Sequence, residues 1–158
     1  EAVNVIAEGE VLQLMNVNDP DITEENYMRV IYSKTARLFE AAAQCSGILA
    51  GCSEAQEKGL QDYGRYLGTA FQLIDDLTDG SSANGKDPHQ DKDKSTLVAV
   101  LGAESVFLRL REHVRSADQH IATACQPGNT ARYYVHIWFE KQLTLISQSL
   151  SLSLSECQ

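Results

Sequence analysis

What this 158-residue sequence lacks narrows its chemistry before any motif is considered. No apolar run approaches the ~20 residues that a helix needs to cross a bilayer. No signal peptide is visible either, so the expectation is a cytoplasmic chain without an integral membrane segment. The four cysteines, Cys45, Cys52, Cys125 and Cys157, form no C-x-x-C pair. Zinc is therefore not indicated, and free thiols in a reduced compartment are expected. Basic residues are scarce, 13 against 22 acidic ones, for a net charge of −9. Apart from Lys86, Lys92 and Lys94 they are scattered, which argues against nucleic acid as the main partner, because phosphate backbones need clustered cations. Convincing strands, internal repeats and domain boundaries are also missing.

What remains reads as helix, and the chain is long enough for a real core. Residues 1–158 are expected to form a single all-α domain. A first helical stretch covers 1–16, and Asn18-Asp19-Pro20-Asp21 is a turn. Thr23 is a good N-cap, with Glu24 and Glu25 in the first turn favouring the dipole. A long helix should follow to about Ala50, closed by Gly51. Ser53 caps the next, which runs to about Asp79. Residues 80–94 are a polar loop, 96–101 a short apolar segment, and 103–124 another helix. Pro127-Gly128-Asn129 is a break, and a last helix starts at Thr130. In residues 147–158 leucine alternates with serine, a period of two, and an irregular tail is expected there.

The most informative run is Ala70-Phe71-Gln72-Leu73-Ile74-Asp75-Asp76-Leu77-Thr78-Asp79. Asp75 and Asp79 are four apart and share a helix face, with Asp76 beside them and Gln72 pointing the same way. Like charges this close repel, and a cation would relieve them. Clustered carboxylates suit Mg²⁺, which keeps several waters and takes substrate phosphates as remaining ligands. The alternative is a solvated acidic face. Against it, Leu60, Tyr63, Leu67, Phe71 and Ile74 make an apolar stripe leading up to the cluster, and a Gly-, Ser- and Lys-rich loop follows, as at a cleft rim.

Lys34 is the second candidate. In the helix from Thr23, the apolar stripe reads Tyr27, Ile31, Leu38, Ala42, Cys45, Leu49, and Lys34 falls in register with it. An ammonium there is costly unless paired or facing a polar cavity. It either snorkels to the surface or binds an anion at a cleft, with Thr35 alongside. Lys86 and Lys94, with Lys92 between them, would make the following loop a plausible lid over a metal-bound diphosphate. For Lys92 a plain solvated position is preferred.

Four motifs in order resemble those of the trans-polyprenyl diphosphate synthases. They are Ala7-Glu8-Gly9-Glu10 followed by Leu12-Gln13-Leu14, then Tyr32-Ser33-Lys34-Thr35, then Phe71-Gln72-Leu73-Ile74-Asp75-Asp76-x-x-Asp79, and last Gly85-Lys86 with Lys94-Ser95-Thr96. Residues 3–79 are most similar to the long-chain, octaprenyl type, and the text after Gly80 to the short-chain farnesyl type. The resemblance implies an isoprenoid synthase fold, of which this would be the C-terminal portion of the helical bundle. It implies an enzyme that condenses isopentenyl diphosphate with an allylic diphosphate, in a family expected to dimerise. Asp75 and Asp79 would bind Mg²⁺, with Asp76 in support. Lys34 and Lys86 would contact the allylic diphosphate, with Lys94 nearby, while Gln72 and Thr35 line the site. No second D-D-x-x-D occurs in the chain, so the family's first aspartate-rich motif is missing, and little or no turnover is expected from the chain alone. A short-chain farnesyl or geranylgeranyl synthase and a non-catalytic helical subunit of an active synthase remain as alternatives.

Overall fold

The computed structural model describes residues 2–15, 23–81, 97–125 and 130–156, with the side chains at 2, 13–15, 79–81, 99–100, 131 and 152–156 outside the description. Among the described residues there is helix and no strand, in line with the all-α expectation. Helix α1 is Ala2–Met15 and α2 is Glu24–Ile31. A π-helical turn, Tyr32–Ala36, joins α2 to α3, Arg37–Leu49. Then come α4, Glu54–Ser81, the short α5, Leu97–Leu101, α6, Ala103–Ala124, and α7, Thr130–Glu156. Among the described residues no helix is long and apolar enough to cross a membrane.

Local chemistry sets the helix ends. The Thr23 hydroxyl accepts from the Asn26 amide at 3.3 Å. Ser53 and Gln56 form a reciprocal capping box: the Gln56 amide donates to Ser53 Oγ at 3.4 Å, and the Ser53 amide donates to Gln56 Oε1 at 3.0 Å. At the end of α3, Gly51 takes φ +68°. The amides of Gly51 and Cys52 return to the carbonyls of Ile48 and Gly47, the Schellman pattern that glycine permits.

Helix α4 is the axis of the structure. It packs on α3 and the π turn along one side and α6 along another, with α5 and α7 also against it. Its burial is correspondingly broader than the single expected stripe: Ala70, Leu73, Ile74 and Leu77 are buried, while Phe71 stays partly exposed. Leu97 of α5 and Val106 and Leu110 of α6 are fully buried against it. Two glycines let α3 and α4 touch backbone to backbone. A Cβ on Gly64 would lie 2.5 Å from the Phe39 carbonyl oxygen, and one on Gly68 would lie 2.7 Å from Ala36 Cα.

Two sequence expectations are corrected. The stripe Tyr27, Ile31, Leu38, Ala42, Cys45, Leu49 holds only for its first two members. Leu38 and Leu49 are 56% and 89% exposed, and Ala42 and Cys45 are exposed too. The π turn spends one extra residue and so rotates everything after it by about 100°. The buried face beyond it is Ala36, Glu40 and Gly47 instead. The tail is the second correction, because α7 continues to Glu156. Phe139, Leu143, Ile146 and Leu150 recur at three-to-four spacing against the core, which overrides the Ser–Leu alternation. Hydroxyls along α7 are absorbed within the helix, as in Ser151 donating to the Ser147 carbonyl at 2.9 Å.

Candidate active site

The segment Tyr27–Thr35 lies beside Gln72–Asp76, and a chain of side-chain hydrogen bonds ties them together. Thr35 Oγ1 donates to Gln72 Oε1 at 3.1 Å. Gln72 Nε2 then donates to Asp76 Oδ1 at 3.3 Å. The other carboxylate oxygen, Oδ2, accepts from the Tyr27 hydroxyl. Asp76 is only 6% exposed, so both of its oxygens are engaged inside the protein. Burial, and then the bond to Asp76 and its charge, push the Tyr27 phenol far above its usual range, with a backbone hydrogen bond at Leu97 working partly against them. Tyr27 therefore stays a donor, and Asp76 becomes the brace that joins α2 to α4.

Asp75 sits half-buried on the neighbouring face of α4. Asp79 follows four residues later in the same helix, with its side chain outside the described residues. Lys86 and Lys94 lie outside the described residues altogether. Among the described residues no three His, Cys, Asp or Glu side chains form a ready metal cage. The donor chemistry separates the carboxylates: Asp76 is consumed by Tyr27 and Gln72, while Asp75 and Asp79 share a helix face at i, i+4 spacing. That face suits an oxygen-seeking divalent cation that keeps part of its water shell.

Lys34 falls within the π turn rather than on the core face. Its Nζ is 3.3 Å from Glu10 Oε1 of α1, with the lysine side chain 37% exposed. Close approach of α1 makes this contact possible: a Cβ on Gly9 would lie 2.8 Å from the Lys34 backbone nitrogen. Gly9 thus lets α1 rest on the π turn, and Glu10 meets the ammonium. Two participants carry little signal in the sequence. Tyr27 falls on the apolar stripe of α2, where only the need of a buried hydroxyl for a partner marks it. Glu10 belongs to the first matched motif but carried no assigned role.

A second polar knot lies further along the same helix pair. Glu40, 5% exposed, accepts from Tyr32 at 2.8 Å and Gln61 at 2.8 Å, and pairs with Arg37 at 2.9 Å. A buried carboxylate satisfied this fully holds α3 in register on α4.

The sequence model of the family described as Polyprenyl synthetase matches residues 1–124. The octaprenyl diphosphate synthase of Escherichia coli (strain K12) is 94% identical over 79 residues, which are 50% of this chain and 24% of that protein. A geranylgeranyl diphosphate synthase of Pantoea ananas is 39% identical over 133 residues, 84% of this chain and 44% of that protein. Among solved structures, a polyprenyl synthase from Caulobacter crescentus CB15, complexed with calcium and isoprenyl diphosphate, superposes with a TM-score of 0.71 at 27% identity. It covers 90% of this chain, and this chain covers 55% of it. The chain thus spans between about a quarter and a half of the length of such curated relatives.

Proposed function

The chain belongs to the polyprenyl synthetase family, and from that premise we propose that it forms part of a Mg²⁺-dependent trans-polyprenyl diphosphate synthase, one that joins isopentenyl diphosphate to an allylic diphosphate. The observation that carries the reading is the Thr35–Gln72–Asp76–Tyr27 hydrogen-bond chain, which fixes the lysine-bearing turn against the aspartate-bearing helix. A long-chain product is preferred, because half of the chain, 79 residues, is 94% identical to the octaprenyl enzyme. A geranylgeranyl-type product is the second reading, favoured by the relative that runs over 84% of the chain.

In this reading Asp75 and Asp79 hold the Mg²⁺, with Asp76 bracing the helix that presents them. When bound, Mg²⁺ supplies charge neutralisation for the departing diphosphate. The remaining work falls to this chain's own groups. Lys34 trades its contact with Glu10 for diphosphate oxygens, and it is held at the right height by the π turn. Thr35 and Gln72 keep the two segments from separating as charge develops, so the donors need no rearrangement during reaction. Lys86 and Lys94, which lie between α4 and α5 in the sequence, would add cations.

The test is titration of farnesyl diphosphate into the purified chain with and without Mg²⁺. Mg²⁺-dependent binding, weakened about tenfold or more in Lys34→Ala and Asp75→Asn, is expected, because each removes a charge-assisted contact. Condensation of isopentenyl diphosphate by the isolated chain is expected to be negligible. Binding that is indifferent to both Mg²⁺ and Asp75 would refute the proposal.

A further inference from the structure

On the other flank of α4 lies a second groove, built from different residues. Tyr66 and Asp75 are nine residues apart, about two and a half turns, so they occupy opposite faces of the helix. The groove is shallow and open to solvent, with a volume of about 340 Å³, lined by Met28, Arg29 and Tyr32 from α2 and the π turn, Arg65 and Tyr66 from α4, and His113 from α6. That volume falls within the range of small-molecule sites, about 300–1,000 Å³. Glu25 stands at its rim, and the buried Thr69 at its floor.

The exposed lining is mostly apolar, and two arginines, Arg29 and Arg65, border it. Arg29 lies on the groove and, among the described residues, has no ion-pair partner. Arg65 lies over the Tyr66 ring, 5.1 Å from its centroid, and pairs with Asp62 at 3.3 Å. His113 meets the same ring edge-on at 5.7 Å. Its Nδ1 is 2.9 Å from the Arg109 carbonyl oxygen. A carbonyl can only accept, so Nδ1 carries the proton and the ring is fixed in one tautomer. The ring of Tyr66 is in turn stacked on His120 at 5.3 Å, so this aromatic wall is held from both sides.

We propose that this groove binds a small phosphorylated molecule, its phosphoryl group between the guanidiniums of Arg29 and Arg65 and its apolar body against Met28 and the Tyr66 ring. Guanidinium forks match phosphoryl oxygens geometrically. A rigid aromatic wall favours an organic body over a bare ion. The site stands apart from the aspartates and needs no metal.

The experiment uses the purified chain in EDTA, which silences any metal-dependent diphosphate site. Phenyl phosphate and inorganic phosphate are titrated separately, with the His113 ring resonances followed by NMR and affinities by calorimetry. Phenyl phosphate should bind and shift His113, and Arg29→Glu should weaken it about tenfold or more. Arg29 is exposed, and circular dichroism of the variant checks that the fold is intact. Lys34→Ala and Asp75→Asn should leave this binding unchanged, which separates its outcome from that of the prenyl synthase reading. The proposal is overturned if His113 does not respond, if Arg29→Glu binds as the parent does, or if Asp75→Asn abolishes binding. Inorganic phosphate binding as tightly as phenyl phosphate would overturn the role given to Met28 and Tyr66.

Discussion

Helix α4 meets its neighbours through two seams of opposite character. Toward α3 it presents Gly64 and Gly68, and the backbones touch. Toward α7 it presents Phe71, whose ring stacks on Trp138 at 6.0 Å. The glycine seam is crossed by hydrogen bonds from Gln61 to Glu40 and from Thr35 to Gln72. The aromatic seam has Phe71 and Trp138 37% and 39% exposed. A seam closed by backbone cannot yield, because no rotamer can move a carbonyl aside. A seam closed by large rings can yield by turning them. The difference bears on the candidate site, because the Thr35–Gln72 bond that ties it together crosses the seam that cannot shift.

Substitutions can break that contrast. Gly64→Ala should have the largest effect. Its new methyl group meets Phe39 O and Glu40 Cα, both backbone, and overpacking of this kind costs about 2 kcal/mol even after the better helix propensity of alanine is credited. Urea unfolding followed by circular dichroism measures it, and a stability equal to the parent's would dissolve the distinction between the seams.

Tyr27→Phe comes next, at about 1–2 kcal/mol, because it removes the Tyr27 hydrogen bond to a buried carboxylate. It should also change the alkaline limb of stability. The folded chain holds Tyr27 protonated beyond the ordinary tyrosine range, and burial with nearby negative charge pushes Tyr63 up to about 12. In the unfolded chain both would ionise near pH 10. Their contribution is therefore fully present below about pH 10 and is lost as pH rises above it, because the unfolded chain then releases more protons. Replacing Tyr27 should flatten that loss, leaving the parts that belong to Tyr63 and to Tyr32, whose phenol is also raised by burial and its bond to Glu40. An unchanged slope would mean that neither burial nor Asp76 holds Tyr27 protonated.

Trp138→Leu should cost about 1 kcal/mol, since a half-exposed ring gives up only part of its contact area. A loss matching that of Gly64→Ala would show the aromatic seam to be as rigid as the glycine one. Smallest is Ser53→Ala, about 0.5 kcal/mol, which removes one arm of an exposed capping box far from both seams.

Much of this architecture could be read from residues alone, because the cues were local. Thr23 and Ser53 announce helix starts by side-chain chemistry that acts within three residues, and the spacing of Asp75 and Asp79 places them on one face wherever the helix goes. Features that depend on distant partners were opaque. Tyr27 finds Asp76 across 49 residues, and Glu40 is buried only because Arg37, Tyr32 and Gln61 converge on it. The π turn was invisible for another reason: Tyr32-Ser33-Lys34-Thr35-Ala36 contains no glycine or proline, so nothing in its composition marks an extra residue. In the tail, a period-two pattern competed with a three-to-four pattern, and the packing partner on α4 and α6 settled it.

That extra residue also separates two things the segment must do. A chain one residue shorter between Tyr32 and Ala36 could close into ordinary α-helix while Ala36, Glu40 and Gly47 still faced α4, since a π turn is an α turn with one residue added. Only what the bulge carries would move, namely Lys34 and Thr35. Such a deletion should leave the circular dichroism spectrum intact and abolish Mg²⁺-dependent diphosphate binding, whereas binding that survived would show the bulge to be idle. The inserted residue then sets where Lys34 and Thr35 stand, and losing it gives up their bonds to Glu10 and Gln72 while the Ala36, Glu40 and Gly47 face stays on α4.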